Sequence, residues 1–326
     1  HFAESIELLG DNIREVKPHF LAVVPRLLEK IFDKIVDKGS QLKGIKKVLF
    51  FWAIALGEQY QPYGKNGAFY TFKLRLARKL IFSKWQAALG GNLEFMLSGS
   101  APMQDRLIRV FLAAGIPVFE GYGMTESSPA ITLNDLRNEG LKIGTVGKPL
   151  TGLTVKIASD GEILMKGSSV MMGYYKNEEM TQNTIINGYL HTGDIGEIDA
   201  DGFLKITDRK KEMFKTSGGK YIAPAVLESA LKQSRFIEQI MIIGESEKMP
   251  AALIQVNFEF AKDWATRKKL NPASILTHER FINRIQKEID FHNQKFGKWE
   301  QIKRFELTPD EWSIEAGHLT PTMKMK

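Results

Sequence analysis

The stretch "IPVFEGYGMTESSP" (residues 116–129) is the most informative part of the sequence. Ile116 to Phe119 is an apolar run typical of a buried strand. The turn expected after it contains an aromatic ring, a hydroxyl and a carboxylate, and Gly121 and Gly123 flank the ring. Glycine permits a close backbone approach or a positive φ, and ligands bind at such strand ends in α/β proteins. One interpretation of the stretch is therefore a ligand site after a strand of an α/β protein.

A second interpretation of the same turn needs no ligand. Thr125 would cap a following helix, and Glu126 would complement the dipole of that helix. The turn alone does not separate these two interpretations, so the rest of the chain has to decide between them.

Composition limits the classes of protein that fit. The chain has 326 residues, so two or three domains are expected. Its 43% hydrophobic and 25% charged residues are typical of a soluble globular protein. There is no cysteine, which excludes a disulfide framework, a thiolate metal site and an acyl-carrying thiol within this sequence. A thiol in the reaction would have to come from a substrate.

Charge and hydropathy indicate the partners to expect. The net charge is +7, but the basic residues are dispersed and no nucleic-acid-binding motif occurs, so no nucleic acid is expected. The apolar run Val48 to Leu56 is about half the length of a membrane span, and the first twenty residues do not resemble a signal peptide. Residues 50–90 combine aromatic and basic residues; helix packing is favoured there, with a membrane-facing patch as the alternative.

Three regions differ in pattern. Residues 1–90 are mostly helical, and strand, helix and strand follow from Leu93 to Phe119. Residues 144–207 are mostly short strands, with hairpin turns at "SDGE" (159–162), "NGY" (187–189) and "DADGF" (199–203). The last part, of about 115 residues, is predicted to be a small α+β domain.

Two further motifs have residues suited to a nucleotide. In "LSGSAPM" (97–103), small side chains and free N–H groups would fit a flat ring or a phosphate, although an ordinary strand-to-helix turn explains them equally well. In residues 189–224, Asp194 suits the hydroxyls of a diol, and Arg209 suits phosphate or ribose oxygens. A turn-forming aspartate and a surface arginine are the alternatives, but they do not explain the order of the motifs.

That order resembles the adenylate-forming enzyme superfamily and, within it, the long-chain fatty acyl-CoA synthetases (AMP-forming). The resemblance extends from about residue 17 to the last residue. Its motifs are "SGSAP", "EGYGMTE", "GTVGKP", "GEILMKG…MMGYY", "HTGD", "DRKKEMFKTSGGKYIAP" and "LTPTMKMK".

The resemblance implies an α/β large-domain portion with a β-rich subdomain, followed by a small mobile α+β C-terminal domain. Residues 1–143 would be a partial α/β subdomain of the large AMP-binding domain. Residues 144–210 would be its β-rich subdomain, and residues 211–326 the small C-terminal domain.

The resemblance also implies a role for each matching residue. Tyr122 would face the adenine, Thr125 would bind a phosphate oxygen, and Glu126 would be the Mg²⁺ ligand. Asp194 would bind the ribose hydroxyls and Arg209 the ribose or α-phosphate region. The remaining nucleotide residues would be Ser100, Ala101, Pro102, Glu120 and Gly121. The small domain would contribute the hinge Lys211, the CoA-side loop Gly218, Gly219 and Lys220, and the catalytic Lys324, with Lys326 as a competing candidate.

The implied reaction uses ATP, Mg²⁺ and CoA. A fatty acid would first become an acyl-adenylate with release of pyrophosphate, and the acyl group would then pass to CoA. The expected location is the cytoplasm, with peripheral contact to the inner face of a membrane left open. Oligomeric state and the chain length of the fatty acid are also left open.

The sequence departs from the family in one large respect. It contains no Ser/Thr/Gly-rich phosphate-binding loop upstream of these motifs. We therefore expect the chain to be the C-terminal portion of a longer enzyme and to be inactive alone. A ligase that delivers the acyl group to a carrier protein, or a non-catalytic nucleotide- or acyl-binding module, are the alternatives.

Overall fold

The structure is a computed structural model that describes residues 1, 3, 4, 8–210 and 212–320. The chain forms two compact units. Unit 1 comprises His1–Ala158, Ile163–Thr192 and Glu197–Ile206; unit 2 comprises Ser159–Glu162, Gly193–Gly196 and Thr207–Lys326. None of the helices in these described ranges is long and apolar enough to cross a membrane.

Unit 1 begins with helices and a mixed sheet. Strands β1 (Phe20–Val23), β2 (Phe95–Ser98) and β3 (Val118–Tyr122) are parallel, and β4 (Thr132–Leu133) and β5 (Lys148–Pro149) extend the sheet in antiparallel fashion. The helices are α1 (Leu9–Val16), α2 (Pro25–Ser40), α3 (Gly44–Glu58), α4 (Gly67–Ala77), α5 (Ser83–Ala88) and α6 (Asp105–Ala113), with a π-helical turn (Arg78–Phe82) between α4 and α5.

The apolar residues of α2 recur every four positions, so they share one face of the helix. Leu28, Phe32 and Val36 are buried in the main core of unit 1. Gly39 lies within α2, which runs to Ser40. A Cβ at Gly39 would lie 2.0 Å from the Phe50 ring, so this glycine is required by packing and does not terminate the helix.

A second sheet follows the three turns expected from the sequence. Its strand order is β10-β9-β7-β6, and β8 pairs with β9. The elements are β6 (Thr154–Ile157), β7 (Glu162–Lys166), α7 (Glu178–Thr184), β8 (Ile185–Ile186), β9 (Tyr189–Ile198) and β10 (Leu204–Arg209). The region is less purely β than expected, because α7 interrupts the strands.

Unit 2 has its own core and a three-stranded sheet in the order β13-β14-β15. β13 and β14 are antiparallel, and β14 and β15 are parallel. The elements are β11 (Phe214–Lys215), β12 (Tyr221–Ile222), α8 (Pro224–Leu231), β13 (Ile237–Ile243), β14 (Ala251–Val256), α9 (Phe258–Arg267), α10 (Glu279–Asn293) and β15 (Arg304–Thr308). The expected small α+β arrangement is therefore present.

Candidate functional site

The structure brings together the two motifs of unit 1 that follow β2 and β3. These strands are parallel neighbours, and Ser98 pairs in register with Glu120. Their carboxyl ends therefore lie at the same edge of the sheet, where the loops after them begin. A Cβ on Gly99 would lie 3.5 Å from the carbonyl oxygen of Gly121, which shows how closely the two segments approach.

The strand β3 is longer than the sequence pattern predicts. Glu120, Gly121 and Tyr122 belong to the strand, whereas they were expected in the turn after it. The physical reason is pairing with β4, which matches Gly121 with Leu133 and Tyr122 with Thr132. A partner strand that comes later in the chain thus keeps these residues extended.

Glu120 holds the loop of residues 99–103 to the sheet. Its Oε1 accepts a hydrogen bond from the Met103 N–H at 3.0 Å, and only 7% of the residue is exposed. Burial raises the pKa of Glu120 to about 8, and the nearby Asp105 carboxylate acts in the same direction. Glu120 is therefore mainly protonated at neutral pH. Its predicted nucleotide contact stays a prediction, because the contact seen is to the protein backbone.

The loop after β2 has an unusual backbone. Ser100 has φ of 69°, which is uncommon for a residue other than glycine. Such conformations persist where the surrounding structure imposes them, and they cluster at ligand sites. Ser100 and Pro102 are exposed and Ala101 is half-buried, so all three can be reached from solvent.

Gly123 allows the chain's own backbone to approach closely. A Cβ at this position would lie 1.7 Å from the Pro129 carbonyl oxygen, so any side chain there would prevent the turn from closing. The Ser127 hydroxyl accepts the Met124 N–H at 3.0 Å and donates to the Pro129 carbonyl at 2.9 Å. In the described chain neither Gly121 nor Gly123 has a positive φ, so a close backbone approach is the one of the two expected options that is seen.

The helix-capping interpretation of Thr125 is wrong. Thr125 is itself the first residue of a single 3₁₀ turn, Thr125–Ser127, and it is the Ser127 hydroxyl that bonds the Met124 N–H at the start of that turn. The chain then leads into β4, so there is no following α-helix for Thr125 to cap. The Thr125 side chain is exposed at the same edge of the sheet.

Glu126 has a partner that the sequence reading missed. The Tyr174 hydroxyl donates a hydrogen bond of 2.8 Å to Glu126 Oε1, and the Met171 N–H donates to the Glu126 carbonyl at 2.9 Å. Burial, and then the Glu126 carboxylate, raise the pKa of Tyr174. Tyr174 lies in the quoted "MMGYY" motif, but 48 residues separate it from Glu126, and only the aromatic pair itself could have drawn attention to it.

The Tyr122 ring is largely enclosed. The residue is 9% exposed and belongs to an apolar cluster with Ile131, Met165 and Leu190. Its predicted stacking on adenine would therefore use a small part of its surface. Groups of three or more His, Asp or Glu side chains that could hold a metal ion do not occur in the described part of the chain.

In unit 2 the structure pairs Asp194 with Arg209. Arg209 Nε lies 3.1 Å from Asp194 Oδ1, and Asp194 is 6% exposed, whereas Arg209 is exposed. The Lys210 N–H donates to the Gly193 carbonyl at 2.8 Å, which fixes β10 beside the residue before Asp194. Arg209 also lies 3.5 Å from Glu212. The two residues predicted to bind ribose are thus neighbours.

Asp208 is a second residue that the sequence reading did not select. It is 5% exposed, its Oδ1 accepts the Arg209 N–H at 2.6 Å, and its Oδ2 is buried without a hydrogen bond in the described structure. Burial raises the pKa of Asp208 to about 6, and the Glu212 and Asp194 carboxylates add to the effect. Its position beside Arg209 in the sequence was the available signal.

The predicted CoA-side loop is the turn of the β11–β12 hairpin. The Gly219 N–H donates to the Thr216 carbonyl at 2.8 Å, and Gly219 has φ of 76°, which favours glycine. Gly218 and Gly219 are exposed, and the Lys220 ammonium lies 5.5 Å from the centre of the Trp299 ring. The predicted hinge Lys211, the predicted catalytic Lys324 and its competitor Lys326 lie outside the described residues.

Comparison with protein families identifies two regions. A profile described as AMP-binding enzyme matches residues 2–175, and one described as AMP-binding enzyme C-terminal domain matches residues 212–313.

Proteins with similar sequences are named as CoA ligases or acyl-CoA synthetases. The long-chain-fatty-acid–CoA ligase FadD15 of Mycobacterium bovis is 35% identical over 100% of this chain and 55% of its own length. The long chain acyl-CoA synthetase 4 of Arabidopsis thaliana is 32% identical over 98% and 50%. The long-chain-fatty-acid–CoA ligase 5 of Rattus norvegicus is 32% identical over 100% and 49%. The chain thus spans about half the length of these relatives.

Solved structures share the fold. The A domain of carboxylic acid reductase from Segniliparus rugosus, in complex with AMP and a co-purified carboxylic acid, matches with a TM-score of 0.71 and 20% identity. The match covers 100% of this chain and 47% of that one. The O-succinylbenzoate coenzyme A synthetase of Bacillus subtilis, in complex with ATP and magnesium ion, matches with a TM-score of 0.61 and 21% identity over 94% and 51%.

Proposed function

This chain belongs to the family of AMP-binding enzymes, and from that premise we propose that the complete protein is a long-chain fatty acid–CoA ligase. The protein activates a fatty acid with ATP, releasing pyrophosphate, and passes the acyl group to the thiol of CoA, releasing AMP. The observation that supports this most is the 32–35% identity to named long-chain ligases over nearly the whole chain. We propose that it acts in the cytoplasm.

The edge of the sheet after β2 and β3 is the proposed nucleotide site. Ser100, Ala101 and Pro102 line it on one side, and Thr125 presents its hydroxyl to a phosphate oxygen. Glu120, protonated at neutral pH, adds no charge beside the phosphates and positions the loop that lines the pocket.

Glu126 fits the proposed Mg²⁺ ligand. A carboxylate is the hard oxygen ligand that Mg²⁺ prefers, and Mg²⁺ often shares one or two protein carboxylates with the substrate's phosphates. Tyr174 occupies Oε1 of Glu126, which orients the carboxylate and leaves Oε2 for the metal. When bound, Mg²⁺ would offset negative charge on the phosphates.

Asp194 and Arg209 are the proposed sugar contacts, and the small domain is proposed to serve both steps. Asp194 accepts hydrogen bonds from the ribose hydroxyls, and Arg209, held by Asp194 at 3.1 Å, reaches the ribose or α-phosphate region. We assign residues 1–143 and 144–210 to the large domain and 211–326 to the small mobile domain. Rotation about Lys211 would present Lys324 for the first step and Gly218, Gly219 and Lys220 for the second.

The test separates the two half-reactions in the complete protein. Lys324 offsets charge that develops on the α-phosphate, so Lys324→Ala should lower pyrophosphate release by about 10²–10³-fold. The same variant should still convert supplied acyl-AMP and CoA to acyl-CoA, because that step needs no charge on Lys324. Lys326→Ala is the matched control and should leave both steps near the wild-type rate.

Several outcomes would contradict the proposal. If the protein makes the acyl-adenylate and transfers the acyl group to a carrier protein but not to CoA, it is the alternative ligase. No pyrophosphate release with any fatty acid would favour a binding module. Equal slowing of both half-reactions by Lys324→Ala would contradict the assignment of that lysine.

A further inference from the structure

A row of polar side chains crosses the three-stranded sheet of unit 2. In the strand register, Gln239 of β13 pairs with Gln255 of β14, and Gln255 pairs with Thr308 of β15. The three residues are only 2%, 3% and 7% exposed. Successive side chains of a strand point to opposite faces, so Gln255 lies on the face opposite to Ile254 and Val256, which belong to the core of unit 2. Buried polar groups need hydrogen-bond partners, and the partner of Gln255 comes from outside the sheet.

Gln255 binds the last segment of the described chain. Its Oε1 accepts a hydrogen bond of 2.9 Å from the Trp312 N–H, 57 positions later in the sequence, and Trp312 is 8% exposed. The chain then folds back on itself, because the Leu319 N–H donates to the Ser313 carbonyl at 3.1 Å. Leu319 is 1% exposed. Residues 312–319, here called the terminal loop, are thus a closed loop with a buried residue at each end.

The position of the terminal loop limits where Lys324 can go. Lys324 is outside the described residues, and it comes five positions after Leu319 in the sequence. Five residues span at most about 18 Å when fully extended. If the terminal loop came away from the sheet, the free chain would begin after Thr308, at the end of β15 and sixteen positions before Lys324. Such a chain spans up to about 55 Å. The hydrogen bond between Gln255 and Trp312 therefore sets the length of free chain by which Lys324 is attached.

We propose that Gln255 is a positioning residue for the first half-reaction, the formation of the acyl-adenylate. It fastens the terminal loop to the sheet, and the short attachment confines Lys324 to a small volume beside that loop. This inference rests on the proposed function, in which Lys324 serves adenylation and the loop of Gly218 and Gly219 serves the transfer to CoA. Because the transfer step does not use Lys324, it does not depend on Gln255.

The experiment changes Gln255 in the complete protein and measures the two half-reactions separately. Gln255→Met keeps a side chain of similar length but removes the acceptor of the Trp312 N–H. The effective concentration of a tethered group falls roughly as the −3/2 power of the tether length, so a change from five to sixteen residues should slow fatty-acid-dependent pyrophosphate release by about sixfold. Conversion of supplied acyl-AMP and CoA to acyl-CoA should stay near the wild-type rate.

A control and a second variant accompany this substitution. Gln239→Met removes a neighbouring buried amide whose Oε1 has no hydrogen bond in the described structure, and it should leave both half-reactions near the wild-type rate. An insertion of six alternating glycine and serine residues after Thr320 lengthens the attachment of Lys324 to eleven residues and leaves every buried side chain in place. It should slow pyrophosphate release by about threefold and leave the transfer to CoA unchanged.

A measurement independent of activity follows chymotrypsin cleavage after Trp312 by mass spectrometry. Cleavage should be faster in Gln255→Met than in wild type or Gln239→Met, because the terminal loop is released from the sheet.

The outcomes separate this inference from the proposed function. Unchanged pyrophosphate release in Gln255→Met overturns the inference, whether or not cleavage after Trp312 becomes faster. Equal slowing of both half-reactions also overturns it, because the substitution then damages the small domain as a whole. If Gln239→Met behaves like Gln255→Met, the hydrogen bond to Trp312 is not the cause and the inference fails. If Lys324→Ala slows both steps or neither, the proposed role of Lys324 fails, and this inference fails with it.

Discussion

Glu120 in unit 1 and Asp194 in unit 2 are buried to nearly the same extent, 7% and 6% exposed, but their partners differ in kind. Glu120 accepts a hydrogen bond from the neutral Met103 N–H, whereas Asp194 lies beside the Arg209 guanidinium. Burial without a cation disfavours the charged form of an acid, which is why the pKa of Glu120 rises to about 8. Two almost equally buried acids thus lie in different electrostatic surroundings.

The role of an acidic residue in a motif therefore cannot be assigned from its residue type alone. Glu120 connects two pieces of backbone and is neutral at pH 7. Asp194 and Arg209 form an ion pair, and both residues are predicted to contact ribose. Two substitutions test this contrast, and a third tests the partner of another acidic residue, Glu126.

The largest effect is expected for Glu120→Gln as a change in the pH dependence of stability. The pKa of Glu120 is raised from 4.5 to about 8 in the folded protein, so the folded state retains a proton that the unfolded chain releases between these values. This contribution is complete below about pH 4.5 and is lost as pH rises through about 8. Between pH 5 and 9, wild type should lose up to about 4 kcal/mol of unfolding free energy relative to the variant.

Urea unfolding across this pH range measures the difference. The control is Glu94→Gln, which changes an exposed acid just before β2 and should leave the wild-type pH profile intact. Parallel profiles for wild type and Glu120→Gln would show that Glu120 is charged in the folded state, and the contrast with Asp194 would then fail.

A smaller effect is expected for Asp194→Asn on the use of ATP by the complete protein. The substitution removes the negative acceptor from two proposed ribose hydrogen bonds, each worth about 1.5 kcal/mol. The value of kcat/KM for ATP should fall by about 100-fold. Glu212→Gln is the matched control, because it removes another partner of Arg209, at 3.5 Å, without touching the proposed ribose contact. If the two variants behave alike, Asp194 serves only to position Arg209.

The smallest effect is expected for Tyr174→Phe. The substitution removes the hydroxyl that donates to Glu126 Oε1 at 2.8 Å, at a cost of about 1 kcal/mol. The Mg²⁺ concentration for half-maximal pyrophosphate release should rise about fivefold. Tyr175→Phe changes an exposed neighbour (87% exposed) and is the control. An unchanged Mg²⁺ titration would contradict the proposed role of Tyr174 at the metal site, and with it the role of the Glu126 carboxylate that Tyr174 orients.

Local chemistry was predictable wherever it depends on neighbouring residues. The turns at 159–162, 187–189 and 199–203 connect strands as expected, because Gly, Asn and Asp adopt turn conformations by themselves. Loops also follow β2 and β3 as expected, and their role as a ligand site stays a prediction. The exact end of β3 was not predictable, since Tyr122 stays extended only through its pairing with Thr132.

The sequence by itself determined the order of the motifs, the strand-to-loop junctions and the family to which the chain belongs. Only the tertiary structure decided which residues touch: Tyr174 with Glu126, Glu120 with Met103, and Gly123 with Pro129. The physical reason is that burial and hydrogen-bond partners depend on segments brought together by folding. A carboxyl group has the same chemistry everywhere in a sequence, but its protonation and its role are set by the dielectric and the charges around it.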